Sequence, residues 1–365
     1  MSPVLTTPPA RRRRVALAAL AAGAGLLLGA CSGSPTADPT PVAPVTQAPV
    51  IEAAKAAPPA PVVPPRWPLT GVTATEVAAR PALAVKIENS GEARPQTGLE
   101  QADVVWEEVV EGGISRFVAV YQSQVPAEVG PIRSVRPMDP AIIAPMHGLI
   151  AFSGGQPVFV QALKNAGVQT ISQDAGAAGF YRKKGVAPAP HNVYGTPQAF
   201  WDQADSNHSA PPAPQFVIAK HPEQATAVVA GGASSTVAVR LSGYAKPTWT
   251  WDAASGTWLR AEGATPATVR SGARISATNV VTLKVRLVSS GTVDPAGNPV
   301  PETVLDGTGD ATVSTGGHTV TGTWTKTAQD AVLTLATADG AVLTLAPGTT
   351  WVELVPKDSG SVTIG

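Results

Sequence analysis

The chain has 365 residues in which Lys+Arg 26 matches Asp+Glu 26, so no overall charge draws it to nucleic acid. Its single cysteine excludes an internal disulfide framework.

The chain opens with Arg11-Arg12-Arg13-Arg14, and an uncharged apolar run follows from Val15 to Leu28. That run is short for a bilayer span but suits the apolar part of a signal peptide, here residues 1–30. It ends in Leu28-Gly29-Ala30-Cys31, where small residues admit a peptidase and the thiol after the cut can receive a diacylglycerol. The arrangement resembles the bacterial lipobox, with Cys31 as the lipidation site and palmitate-type chains as the expected modification. Residues 31–66 are the lipidated cysteine and a Pro/Ala-rich tether with scarcely a charge. Such a segment cannot bury a core, and at ~3.1 Å per residue it reaches up to roughly 100 Å from a bilayer. No second apolar stretch approaches spanning length. The expectation is a protein anchored by lipid to the extracytoplasmic face of the cell membrane, working in the cell envelope.

The folded remainder, about 300 residues, is long enough for two domains, and its texture changes near Gly231-Gly232. Residues 67–230 read as an α+β domain. Strands are expected over Pro81–Glu88, Val104–Val110 and Ile114–Tyr121, the last two joined by Gly112-Gly113 as a two-residue hairpin turn. If Glu111 pairs with Ile114, Val109 faces Arg116, with Glu107 and Glu111 as its diagonal neighbours. Met138–Leu149 and Pro157–Ala166 have helical texture.

Residues 231–365 read as a smaller, mostly antiparallel β domain. Val237–Leu241, Thr248–Trp251, Trp258–Arg260, Val280–Leu287, His318–Trp324, Val332–Leu335, Ala341–Leu345 and Thr350–Val355 alternate apolar and polar residues between turn signals such as Asp339-Gly340. The fold class is therefore α+β, a mixed α/β domain followed by a β-rich one.

Several separated motifs resemble the YerB-like lipoproteins, a family defined by a domain of unknown function. They are Asn89, Arg94-Pro95-Gln96-Thr97-Gly98-Leu99, Ala102-Asp103-Val104-Val105, Glu111-Gly112-Gly113-Ile114-Ser115-Arg116-Phe117 and Gly130-Pro131-Ile132-Arg133-Ser134-Val135-Arg136-Pro137. Phe152-Ser153-Gly154-Gly155, Pro190-His191-Asn192-Val193-Tyr194, Gly322-Thr323-Trp324 and Pro347-Gly348-Thr349-Thr350-Trp351 continue the series. The resemblance implies a two-domain cell-surface lipoprotein and no established reaction.

Arg94, Arg116, Arg133 and Arg136 stand in Gly/Pro-rich or strand-end settings, where guanidinium forks suit carboxylate or phosphate oxygens. Arg133 and Arg136 flank Ser134 on a proline-bounded loop, a nearly preformed site. His191 and Asn192 complete the candidate ligand-binding set. Equally, each arginine could close a loop on carbonyls or pair with Asp103, Glu107 or Glu111. For catalysis the candidates are His191 as base, with Glu107 or Asp139. Glu107 and Glu111 would lie ~13 Å apart along a strand, beyond the roughly 5 to 9.5 Å of paired glycosidase carboxylates. Ser153 lacks the flanking glycines of a nucleophile elbow. The remaining histidines have no ligand spacing, so neither a metal nor a cofactor is expected.

Three functions follow as expectations. The first is a binding module for an anionic wall polymer, precursor or peptide. The second is a cell-wall hydrolase or transferase. The third is a scaffold docking an envelope protein through exposed Trp249, Trp251 or Trp324.

Overall fold

The computed structural model describes residues 63–365. The expected signal segment, Cys31 and nearly all of the tether lie outside the described residues.

The first part begins with β1 (Leu83–Glu88), β2 (Val104–Val109) and β3 (Ser115–Tyr121), in the order β2-β3-β1 with antiparallel pairings. All three are buried along their whole length, and β3 is rich in the β-branched and aromatic residues that suit a pleated surface. A short α1 (Asp139–Ile143) leads to β4 (Leu149–Phe152), α2 (Pro157–Asn165) and β5 (Gln169–Ser172). β4 lies parallel to β1 and β5 parallel to β4. Proline at the first position of α2 costs no hydrogen bond there, and Phe159 and Leu163, one turn apart, carry its buried face. The hairpin of β6 (Phe180–Arg182) and β7 (Val193–Gly195) follows.

The second part contributes β8 (Gly232–Ala233), β9 (Thr236–Arg240), β10 (Pro247–Asp252), β11 (Thr257–Glu262), β12 (Thr265–Pro266) and β13 (Ser276–Ala277). Next come β14 (Asn279–Val293), β15 (Pro299–Val304), β16 (Gly307–Thr315), β17 (His318–Lys326), β18 (Thr334–Ala336), β19 (Thr350–Pro356) and β20 (Ser361–Ile364). One antiparallel sheet has the order β12-β11-β10-β9-β20. The main sheet runs β18-β17-β16-β14-β19-β2-β3-β1-β4-β5, so strands from both parts of the chain share it. β19 lies between β14 and β2 and is parallel to both. Every one of its residues is buried, as an interior parallel strand covered on both faces requires. The main sheet is thus mixed: pairing among the later strands is mostly antiparallel, while β14 with β19 is parallel.

Four local expectations are corrected. Glu111–Gly113 form a single turn with Gly112 and Gly113 at φ 68 and 74, and Val109 pairs with Ser115. That is one residue out of the expected register, which sends every side chain to the other face: Glu108, and not Val109, lies opposite Arg116. The expected helix over Met138–Leu149 is α1 alone plus a short turn, because Pro145 cannot donate to a continuing helix. Gly148 then passes so close to Ala82 that a Cβ would lie 2.4 Å from its carbonyl oxygen, and Leu149 opens β4. Ala341–Leu345 forms bridges instead of a strand, while the glycine-containing β16 pairs with β17 along its whole length. Finally, Trp249 and Trp324 are buried and Trp251 is half-buried against Trp258, so they do not form an exposed aromatic surface.

Two apolar layers flank the main sheet. One joins Ala84, Val118 and Val120 to Ile142, Phe152, Phe159 and Leu163, beneath α1 and α2. The other joins Ile87, Phe117 and Trp351 to Trp249 and Trp258 of the antiparallel sheet. The alternation of β1–β3 decides which charged side chain enters which layer.

Candidate functional site

Glu88 ends β1 and sits directly opposite Arg116 on β3, which in turn sits opposite Glu108 on β2. The segment after Gly130 crosses this end of the sheet: Glu88 N–H donates to Pro131 O, and Arg133 N–H to Lys86 O at 2.9 Å. The backbone thereby delivers Arg133 to Glu88. Its Nε lies 3.3 Å from Glu88 Oε2. The loop between β6 and β7 brings His191 from the other side, with Nδ1 2.8 Å from Glu88 Oε1, which also accepts from Ser90 Oγ. The Glu88 side chain is 1% exposed, whereas those of Arg133 and His191 are 20% and 23% exposed. A buried carboxylate therefore holds two half-open basic side chains together. Neither the terminal guanidinium nitrogens of Arg133 nor His191 Nε2 have a hydrogen-bond partner among the described residues.

Arg116 lies beneath them, buried, donating through Nη1 to Ser134 O at 3.0 Å. Its Nε is buried without a hydrogen-bond partner. Burial, then the neighbouring Arg136 and Arg133, lower its pKa to about 10. Arg136 is fully engaged, with Nε 2.5 Å and Nη2 2.6 Å from the two oxygens of Glu111, and Nη1 donating to Val135 O. Ser134 donates to Ser153 O and packs under Gly154, where a Cβ would lie 2.6 Å from Ser134 Oγ. At φ 89, and with that close approach, Gly154 leaves no room for a side chain.

The other candidates separate into supporting roles. Arg94 braces the Asn89 and Ser90 carbonyls and lies 3.8 Å from Glu262. Asn192 accepts from Arg182 Nη1 within the β6–β7 hairpin and does not point at Glu88. Glu107 enters the opposite layer, accepting from Ser115 Oγ and pairing with Arg260 Nη2 at 2.8 Å. Asp139 is fully buried, with Oδ1 2.6 Å from Lys86 Nζ and Oδ2 accepting from Arg136 N–H. Neither acid contacts His191, whose carboxylate partner is Glu88. Glu107 and Glu111 also bind Arg260 and Arg136 in place of Arg116.

Two groups escaped the sequence reading. Lys86 and Glu88, two apart in an otherwise apolar strand, necessarily share one face, and that spacing was a legible sign of a charged cluster. Arg260 was not legible: it stands in a β-run yet is fully buried among Phe117, Trp249 and Trp351, with Glu107, Glu262 and Glu353 around it. Among the described residues, no group of three or more His, Cys, Asp or Glu side chains is placed to hold a metal ion. Nor is any helix there long and apolar enough to cross a membrane.

Comparison with known proteins places these residues in context. Residues 69–210 match the family described as "Protein of unknown function (DUF3048) N-terminal domain", and residues 237–352 match its C-terminal domain. A protein of Bacillus subtilis (strain 168) named "Putative lipoprotein YerB" is 36% identical over 129 residues, which cover 35% of this chain and 39% of that relative's length. A crystal structure of YerB protein from Bacillus subtilis shares the fold, with a TM-score of 0.67 at 23% identity, over 82% of this chain and 99% of that one.

Proposed function

Because this chain belongs to the DUF3048 family, we propose that it is an extracytoplasmic lipoprotein, anchored through Cys31, whose Arg133 and His191 bind an anionic group of an envelope polymer, precursor or peptide. The observation that carries this reading is the shared hold of Glu88 on both side chains, which leaves their outer nitrogens uncommitted at a partly open edge. A guanidinium ion-paired with a carboxylate on its Nε side keeps its two terminal nitrogens as a fork, the geometry a carboxylate or phosphate matches. Buried Arg116 adds positive potential from below. Glu108, whose carboxyl is pushed up to about 7 by burial and the nearby Asp139, is only partly charged at neutral pH and so offsets that potential in part. Arg136 belongs to the framework, because its donors are taken by Glu111 and a carbonyl.

The test is thermal stabilisation of the protein by phosphate, sulfate or soluble wall fragments, since a ligand bound only to the folded state raises Tm. Arg133→Lys should abolish most of that rise while leaving the free protein folded. Arg136→Lys should instead lower stability by about 1 to 3 kcal/mol and leave the dependence on anion in place. An unchanged anion response in Arg133→Lys would remove Arg133 from the site.

The Glu88 to His191 contact also favours a second reading, a wall hydrolase or transferase in which the carboxylate orients the imidazole as a base. Turnover of purified wall fragments that disappears in His191→Ala would select it over binding alone.

A further inference from the structure

Behind the Glu88 cluster, one lysine and two acids are completely sealed from solvent. Lys86, Glu108 and Asp139 are each 0% exposed, and Lys86 Nζ contacts both carboxylates. Ala84, Trp106, Val118 and Met138 belong to the apolar layer at this point, so the three polar groups have little but one another to meet. Nζ stands 2.6 Å from Asp139 Oδ1, on the carboxylate whose carbon it would attack. The other oxygen, Oδ2, accepts the Arg136 N–H at 2.7 Å. Glu108 Oε2 is buried with no hydrogen-bond partner.

We propose that Lys86 and Asp139 are the reactants of an intramolecular condensation that joins Nζ to Cγ as an amide, with Glu108 relaying the proton. The balance is closed: one ammonium and one carboxylate give one neutral amide and one water, with no oxidant, reductant or cofactor. Glu108 first takes a proton from the ammonium, freeing the nitrogen lone pair to attack Asp139 Cγ. Negative charge then gathers on Oδ2, where the Arg136 N–H is already placed to stabilise it. The bond from Cγ to Oδ1 breaks as that oxygen takes the relayed proton and a second proton from the nitrogen, and it departs as water. Glu108 suits the relay because burial, followed by the charge of Asp139, brings its pKa to about 7, so it gives and accepts a proton near neutrality. Fixed contact supplies the high effective concentration that condensation needs. Exclusion of bulk water opposes the reverse hydrolysis. The product would link β1 to the start of α1, a covalent brace beneath Glu88 and Arg133.

Tryptic digestion of the denatured wild-type protein decides the matter. Trypsin does not cut before proline, so Arg80, Arg94 and Arg136, each followed by proline, stay intact. An unmodified chain gives a peptide ending at Lys86, cut free of Ile87. The cross-linked chain instead gives residues 67–116 joined to residues 134–164, with a combined mass short by one water. Glu108→Gln should fold and yield three separate peptides, residues 67–86, 87–116 and 134–164. Lys86→Arg, which keeps a cation without a nucleophilic amine, should also lose the joined species. A wild-type digest containing only the free Lys86 peptide would overturn the proposal and leave the triad as a buried ion-pair cluster. A missing water confined to residues 67–116 would place the amide on Glu108 and overturn the assignment to Asp139.

Discussion

At the scale of single residues, this protein places charge where burial is expensive and then matches it. Arg260 is the clearest case: burial alone would lower its pKa, but Glu107, Glu262 and Glu353 raise it, and the faces of Phe117, Trp249 and Trp351 surround the guanidinium. Two of those acids cannot both be fully charged at little cost. Burial, then the charge of Glu107, hold Glu353 well above its ordinary value. An acid whose folded value is raised contributes stability below its unfolded pKa, and that contribution is lost as pH climbs toward the folded value. Stability should therefore fall as pH rises from acid toward neutral and beyond, and Glu353→Gln should flatten the fall. Glutamine Oε1 can still accept from Trp249 Nε1 and Arg260 Nη1, as Glu353 Oε1 does. Thermal melts across pH test this; an identical pH profile in Glu353→Gln would show that Glu353 does not titrate in that range.

At the scale of elements, the decisive piece is β19. It pairs with β14 through seven register positions and with β2 through four, so it closes what would otherwise be an open edge on β2. An exposed edge of buried apolar strand invites aggregation. A fragment of residues 67–230 contains β2, β3 and β1 but neither β14 nor β19. It should fail to fold as a soluble monomer, with poor amide dispersion by NMR and association in ultracentrifugation. A monomeric, well-dispersed fragment would mean that the α+β part is self-sufficient. The same elements explain how the candidate site is positioned. β1 ends at Glu88, the segment after Gly130 hydrogen-bonds along that end, and the β6–β7 loop supplies His191, so three separate pieces of chain meet at one carboxylate.

At the scale of the whole molecule, a lipid on Cys31 and the segment before Trp67 would set where the folded part works, while the folded part sets what it touches. Cys31→Ala should leave the protein unprocessed or released from the membrane, because a thioether-linked lipid is the proposed anchor. Metabolic lipid labelling that survives in Cys31→Ala would end that assignment. The sequence by itself determined most strand positions, the helix at Pro157 and the family, because alternation, turn residues and spaced motifs are local signals. It also marked Arg133 and His191 as worth watching, through their loop settings. Only the tertiary structure decided which acid serves which base. A one-residue change in the β2–β3 register moved Glu107 to Arg260 and placed Glu108 with Lys86. The insertion of β19 beside β2 set Glu353 opposite Glu107, more than two hundred residues away in sequence, and so brought it to the same arginine. Pairings of that kind depend on register and on contacts distant along the chain, and neither is written in any short stretch of residues.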